Sequence, residues 1–193
     1  MPRRSAIGVV LAGGGGRRIG GDKAMVELEG RALLLYPLAV LRAVLDDVAV
    51  VAKQSTILPA LDPEVAIWLE ADEPRHPLAG VVHALRCARG RPVVVVAGDM
   101  PFVTRGLVAA LARERSRGAP AVVPRASGRL QPLCARYDPR ALMALAACDF
   151  AAPVRDVVAA LSPRIVDWPD DEPFFNINHP EDILQAAALL SGR

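Results

Sequence analysis

At 193 residues, with 52% hydrophobic side chains and a net charge of +2, the chain reads as one globular domain, residues 1–193, with a sizeable core. That charge is too small to argue for a nucleic acid or a membrane surface as partner, and no apolar run reaches bilayer-spanning length. The three cysteines, Cys87, Cys134 and Cys148, are odd in number and lack metal-ligand spacing, which reads as buried free thiols in a reducing cytoplasm.

The first apolar run predicts a strand over 6–12. It leads straight into a loop of four glycines, Gly13 to Gly16, then Arg17 and Arg18, two further glycines, Asp22 and Lys23. Glycine permits backbone turns at positive φ and lets a ligand approach bare N–H groups. Arginine and lysine add fixed positive charge, so the loop suits a polyphosphate. It is neither of two familiar phosphate loops. Asp22, not Lys then Ser or Thr, follows Gly21, and no set of glycines falls at i, i+2 and i+5.

A helix is expected over 32–45, strands over 47–52 and 65–69, a helix over 79–89 and a strand over 92–97. Val93 to Val96 form an unbroken β-branched run, as in a central strand covered on both faces. A helix at 104–117 and strands at 120–124 and 130–136 follow, with Ser127-Gly128 as a hairpin turn between them. The remaining elements are helices at 139–147 and 153–161, a strand at 164–168 and a helix at 180–190. Strands alternating with helices predict an α/β fold: a mostly parallel central sheet, flanking helices and some antiparallel pairing. In such sheets ligands bind beyond the carboxyl ends of the strands.

That rule selects further candidates. Asp99, followed by Met100-Pro101, stands just after the central strand, where one carboxylate can share a magnesium ion with phosphate and water. Glu70-Ala71-Asp72-Glu73 follows the third strand and leads to His76-Pro77-Leu78-Ala79-Gly80, which opens a helix with free N–H groups. Asp72 is either an acceptor for a base edge or an ordinary loop carboxylate. His76 and His83 read as a loop residue and a helix-surface residue, Trp68 and Trp168 as core, and 169–173 as a solvated acidic loop. Asn176 and Asn178 fall on one face of an alternating stretch before Pro180. They either support metal-bound water and phosphate or cap the last helix.

Taken in order, these segments resemble the molybdenum cofactor guanylyltransferases. The resemblance rests on Leu11-Ala12-Gly13-Gly14 with Arg18-Ile19-Gly20-Gly21-Asp22-Lys23, on Pro77 to Gly80, on Asp99-Met100-Pro101, on Gln131-Pro132-Leu133, and on Asn176 to Asp182. It covers almost the whole chain. It implies a Rossmann-like nucleotidyltransferase fold and a cytoplasmic enzyme that joins GMP from GTP to molybdenum-bound molybdopterin, releasing pyrophosphate. It further implies that Leu11, Ala12, Gly13, Gly14, Pro77, Leu78 and Gly80 cradle the nucleotide. Lys23 and Arg18 would neutralise phosphate, Asp99 would hold Mg2+, and Asp72 would lie on the guanine side. Transient contact with molybdenum-insertion proteins or acceptor molybdoenzymes is a further implication. Departures from the pattern include Val51 in place of a family Asn, Gly16 in place of a small hydroxyl residue and His179 in place of Thr. Three rivals remain open: cytidylyl transfer to the same cofactor, nucleotidyl transfer to another small phosphate, and nucleotide binding without catalysis.

Overall fold

The computed structural model describes residues 5–12 and 23–192. In chain order it contains β1 (Ile7–Leu11), a short 3-10 turn Lys23–Met25, the hairpin β2 (Glu27–Leu28) and β3 (Arg31–Ala32), α1 (Leu35–Arg42), β4 (Val48–Lys53), β5 (Ala66–Glu70), α2 (Pro77–Cys87), β6 (Val93–Ala97) and α3 (Arg105–Arg113). Then come β7 (Ala121–Ala126), β8 (Arg129–Leu130), β9 (Cys134–Tyr137), α4 (Ala141–Ala146), α5 (Val154–Ala160), β10 (Arg164–Asp167), a 3-10 turn Glu172–Phe174 and α6 (Pro180–Ser191).

The main sheet runs β5-β4-β1-β6-β9-β7-β10, with β8 paired to β7 at the end of a hairpin. β5, β4, β1 and β6 are parallel neighbours; β9 runs against both β6 and β7, and β10 is parallel to β7. The expected mostly parallel sheet with some antiparallel pairing is therefore present. Four parallel strands place the exits after Leu11, Lys53, Glu70 and Ala97 along one edge.

Alternation within the buried strands sends side chains to two layers. Val10, Val50, Val94 and Val96 meet Leu38 and Leu41 of α1 and Leu107 and Leu111 of α3. Val9, Val51, Val93 and Val95 meet Leu78, Val81 and Leu85 of α2, Leu145 of α4 and Val158 of α5. β6 is buried throughout, as its valine run requires. A third cluster joins the β2–β3 hairpin to α6 through Leu28, Leu33, Phe102, Ile177 and Ala186. No described helix is long and apolar enough to cross a membrane.

Several boundaries differ from the sequence expectation. The strand expected over 130–136 is two strands, because Gln131 to Leu133 turn: Cys134 N–H donates to Gln131 O, and Pro132 has no N–H for the ladder. The helix expected to reach residue 117 ends at Arg113, where the Arg136 guanidinium takes the carbonyls of Ala112 and Glu114. The 27–32 hairpin is an element that the sequence pattern does not announce. The acidic loop is only partly solvated: Ser127 Oγ donates to Asp171, and Pro173 and Phe174 are buried. Trp68 and Trp168 pack against the two core layers, as expected.

Candidate functional site

At the exit edge lies an open cleft, floored by the end of β1 and walled by α2 on one side and the β6 exit on the other. The β1 exit is pinned from both neighbours. Ala12 N–H donates to Val51 O at 2.8 Å, and Leu11 O accepts from Gly98 N–H at 3.0 Å. A Cβ on Gly98 would stand 3.1 Å from that same Leu11 carbonyl and 3.1 Å from Leu34 Cδ1, so the close approach needs glycine. Asp99 follows directly, half-buried, on the cleft wall. Its carbonyl accepts from Ile177 N–H at 3.0 Å, which docks the 176–178 segment against it. Thr104, not Asp99, caps α3 through a bond from Leu107 N–H at 3.2 Å.

The facing wall is the start of α2. His76 is its N-cap, and Nδ1 accepts from Leu78 N–H at 3.2 Å. Its ring stacks 5.2 Å from Phe150, and burial depresses its pKa, partly offset by a hydrogen bond with the Ala152 backbone. His76 thus lines the cleft as a helix cap rather than serving as a plain loop residue. Pro77 and Gly80 line it too, and Gly80 lets α2 close on β1: a Cβ there would lie 3.1 Å from Leu11 Cδ2. Leu78 departs from the expected cradle. Its side chain is fully buried beneath the cleft, and its N–H is already taken by His76.

Asp72 does not line the cleft. Its Oδ1 accepts from Ser55 Oγ at 2.6 Å and Ser55 N–H at 3.0 Å, and these bonds hold its carboxyl below the usual range. Of the two readings of Asp72, the loop carboxylate fits. Asn176 and Asn178 also stand outside the lining. Asn176 Nδ2 donates to Phe174 O at 2.8 Å, and Asn178 N–H donates to Asp182. His179 is the N-cap of α6 in a capping box: its side chain accepts from the Asp182 N–H, and Asp182 accepts from the N–H groups of Asn178 and His179 at 2.7 and 2.8 Å. Gly13, Gly14 and Arg18 lie outside the described residues, as does the side chain of Lys23. The residue after Lys23, Ala24, lines the cleft with Ala12 and Asp99.

A buried pair that no motif marks also borders the cleft. Lys53 and Glu70 terminate adjacent parallel strands and meet at 3.1 Å, with Glu70 on the cleft surface.

The donor set limits the chemistry. The described residues contain no group of three or more His, Cys, Asp or Glu able to hold a metal. A cation in this cleft would have Asp99 as its carboxylate and take its other ligands from phosphate and water, an arrangement that suits magnesium. None of the three cysteines lines the cleft. Burial raises Cys134 to about 12 and also raises Cys87 and Cys148.

A cleft over the exit of the first strand, flanked by a helix N-terminus and an acidic residue after the central strand, defines a nucleotidyltransferase of the Rossmann-like kind. The family model described as the MobA-like NTP transferase domain matches residues 8–165, and the chain belongs to that family. A molybdenum cofactor guanylyltransferase of Cereibacter sphaeroides is 36% identical over 191 residues, covering 95% of this chain and 96% of the relative. One from Pseudomonas putida is 36% identical over 180 residues, covering 90% and 93%. Among solved structures, molybdopterin-guanine dinucleotide biosynthesis protein A from Archaeoglobus fulgidus superposes with a TM-score of 0.75 at 26% identity, covering 97% of this chain and 100% of that one.

Proposed function

We propose that this protein transfers GMP from GTP to the terminal phosphate of molybdenum-bound molybdopterin, forming the guanine dinucleotide cofactor and releasing pyrophosphate. The names of the relatives support that reaction. The observation that carries it is a single cleft shared by the β1 exit, the start of α2 and Asp99. A nucleoside triphosphate stretched along it has its base toward α2 and β5 and its phosphates toward the β1 exit and Asp99.

The acceptor needs little activation. A phosphate monoester has a second pKa of about 6 and is largely dianionic at neutral pH. One of its oxygens attacks the α-phosphorus, a new P–O bond forms, and the bond to the β-phosphate oxygen breaks. No proton must be removed by the protein, in keeping with a cleft that presents no nucleophile–base pair among the described residues. Catalysis is then alignment and charge neutralisation.

In this reading Leu11 and Ala12, with Gly13 and Gly14, form the backbone cradle. Lys23 and Arg18 offset the charge that gathers on the leaving pyrophosphate. Asp99 holds Mg2+, which supplies further positive charge beside the phosphates. Pro77 and Gly80 shape the facing wall, and Leu78 supports it from the core. Asn176 and Asn178 act at one remove, by fixing the segment docked on the Asp99 carbonyl. The cytoplasm, where both substrates would be available, is the proposed location, and hand-over to insertion proteins or acceptor molybdoenzymes follows from the product.

The test is pyrophosphate release with molybdenum-molybdopterin, GTP and magnesium. Asp99→Asn is expected to keep the fold and to hold GTP affinity within about tenfold, while turnover falls by roughly 10² to 10³. An Asp99→Asn enzyme with near-normal turnover would remove Asp99 from its role. A wild-type protein that binds GTP but releases no pyrophosphate would make it a non-catalytic binder, and faster release from CTP would make it a cytidylyltransferase.

A further inference from the structure

The edge of the sheet opposite the cleft carries a concentrated positive charge. There the chain enters β1 and β6 and leaves β9. Three segments, 89–91, 113–117 and 136–140, gather around one cavity lined by Ser5, Gly90, Ser116, Arg136, Asp138 and Arg140. Together the segments hold seven arginines and two carboxylates, in a chain whose net charge is only +2. The carboxylates within reach are already claimed. Asp138 is bound by Arg136 at 3.1 Å, Glu114 by Arg164 at 2.6 Å, and Asp47 by Arg91 at 2.6 Å. Arg89, Arg113, Arg115, Arg117 and Arg140 are exposed, and none has an ion pair with a described residue.

Neither the fold nor the transfer reaction accounts for these five side chains. Arg136 has a structural task, since it takes the Ala112 and Glu114 carbonyls at the end of α3, and even so its buried Nε has no acceptor among the described residues. Arg140 gives one N–H to Gly118 O at 2.8 Å. Arg89, Arg113, Arg115 and Arg117 make no side-chain hydrogen bond to a described residue. Arg89 and Arg117 stand at φ of 48° and 50°, each before a glycine that is also at positive φ. Asn is the more relaxed residue in that region, so the backbone does not select arginine at either position.

We propose that this edge is a docking surface for a carboxylate-rich face of another protein. The charge is complementary, and arginine's planar fork pairs with a carboxylate through two N–H groups. The five guanidinium groups have no internal ion pair to break before an incoming face engages them. Single-stranded nucleic acid is held by aromatic side chains that stack on its bases, and a membrane surface by aromatic or apolar side chains that enter it. The three segments offer neither, because their one aromatic residue, Tyr137, is fully buried. A second copy related by a two-fold axis would set arginine against arginine. Docking at this edge leaves the cleft, on the other edge, open.

The probe is a short all-glutamate peptide bearing a fluorophore, titrated by fluorescence anisotropy against the full chain at low salt. Wild type is expected to bind it, and binding is expected to weaken as salt rises, because exposed charges are screened. Arg89→Asn with Arg117→Asn removes two positive charges and puts a residue favoured at positive φ in both positions. That variant is expected to bind the peptide about 3- to 10-fold more weakly, while its urea midpoint stays level or rises and pyrophosphate release is unchanged. Adding Arg115→Glu is expected to take binding below detection. Arg129→Glu, in the β7–β8 hairpin, changes the net charge by the same amount as the double Asn variant and is expected to bind like wild type. Wild type that does not bind the peptide, or an equal loss in the Arg129 variant, would overturn the proposal. So would tighter binding of an oligothymidylate of equal charge or of vesicles containing phosphatidylserine, which would give the edge to a different class of partner. Self-association in sedimentation velocity that the double Asn variant abolishes would assign it to a second copy instead.

Discussion

Gly98 shows how a single residue governs the cleft. It joins the central strand to Asp99 and donates its N–H to Leu11 O, and its missing Cβ lets these backbones meet. Gly98→Ala would put a methyl 3.1 Å from the Leu11 carbonyl, in a β1 exit that is already pinned from both neighbours. Overpacking of this kind costs about 1–3 kcal/mol. Urea denaturation is expected to show that loss, and nucleotide affinity is expected to fall with it because the β1 exit moves. His76 gives a pH signature. Burial holds its folded pKa below the unfolded value, so the unfolded chain takes up the extra proton first as pH falls through about 6.5. The neutral ring's contribution is intact above that value and declines below it, reaching its limit beneath the folded pKa. His76→Asn keeps a side-chain acceptor for the α2 N-terminus but does not titrate. Between pH 7 and pH 5 its melting temperature is expected to fall less than that of wild type. A parallel decline in both proteins would show that His76 is not the group responsible.

Among the elements, those whose local signals agree are legible in the amino-acid sequence. The buried valine strand β6, the Ser127-Gly128 turn with φ of 43° and 74°, and the Pro180 start of α6 each announce themselves within a few residues. The β2–β3 hairpin does not. Its strands have two residues each, and it turns through Glu29 and Gly30, at φ of 52° and 71°, rather than through the usual Asn-Gly or Asp-Gly. The Lys53–Glu70 pair is illegible for another reason: the residues meet only through the register of β4 with β5, and no local pattern states a register. Asp72 shows the converse case. Its residue type and place near the third strand match a base acceptor, yet Ser55 claims it. The α3 cap is a clean test at this scale. Thr104→Ala removes the acceptor for Leu107 N–H and is expected to cost about 1 kcal/mol in urea denaturation without changing nucleotide affinity.

Across the whole molecule, parallel pairing does what no segment does alone. It gathers the ends of β1, β4, β5 and β6 on one edge, so the cleft is assembled from residues as far apart in sequence as Leu11 and Leu133. The ordered motifs make the fold class and Asp99's edge readable from the chain, while the division of labour along the cleft needs the sheet. A ligand bridging these segments binds the folded chain and not the unfolded one, so it stabilises the whole by linkage. At a GTP concentration 100 times its Kd, with magnesium present, the gain is about 2.7 kcal/mol. A chain of this size shifts by about 2–4 °C per kcal/mol, so the melting temperature is expected to rise by roughly 5–11 °C. Asp99→Asn, with affinity within tenfold of wild type, gives up at most about 1.4 kcal/mol of that gain and retains about half of the shift. CTP at the same concentration is expected to produce a clearly smaller rise, because on the guanylyl-transfer reading the cleft favours a guanine base. Scanning calorimetry with GTP, CTP and magnesium alone separates these cases. Equal shifts from the two nucleotides would mean that the cleft holds triphosphate without reading its base.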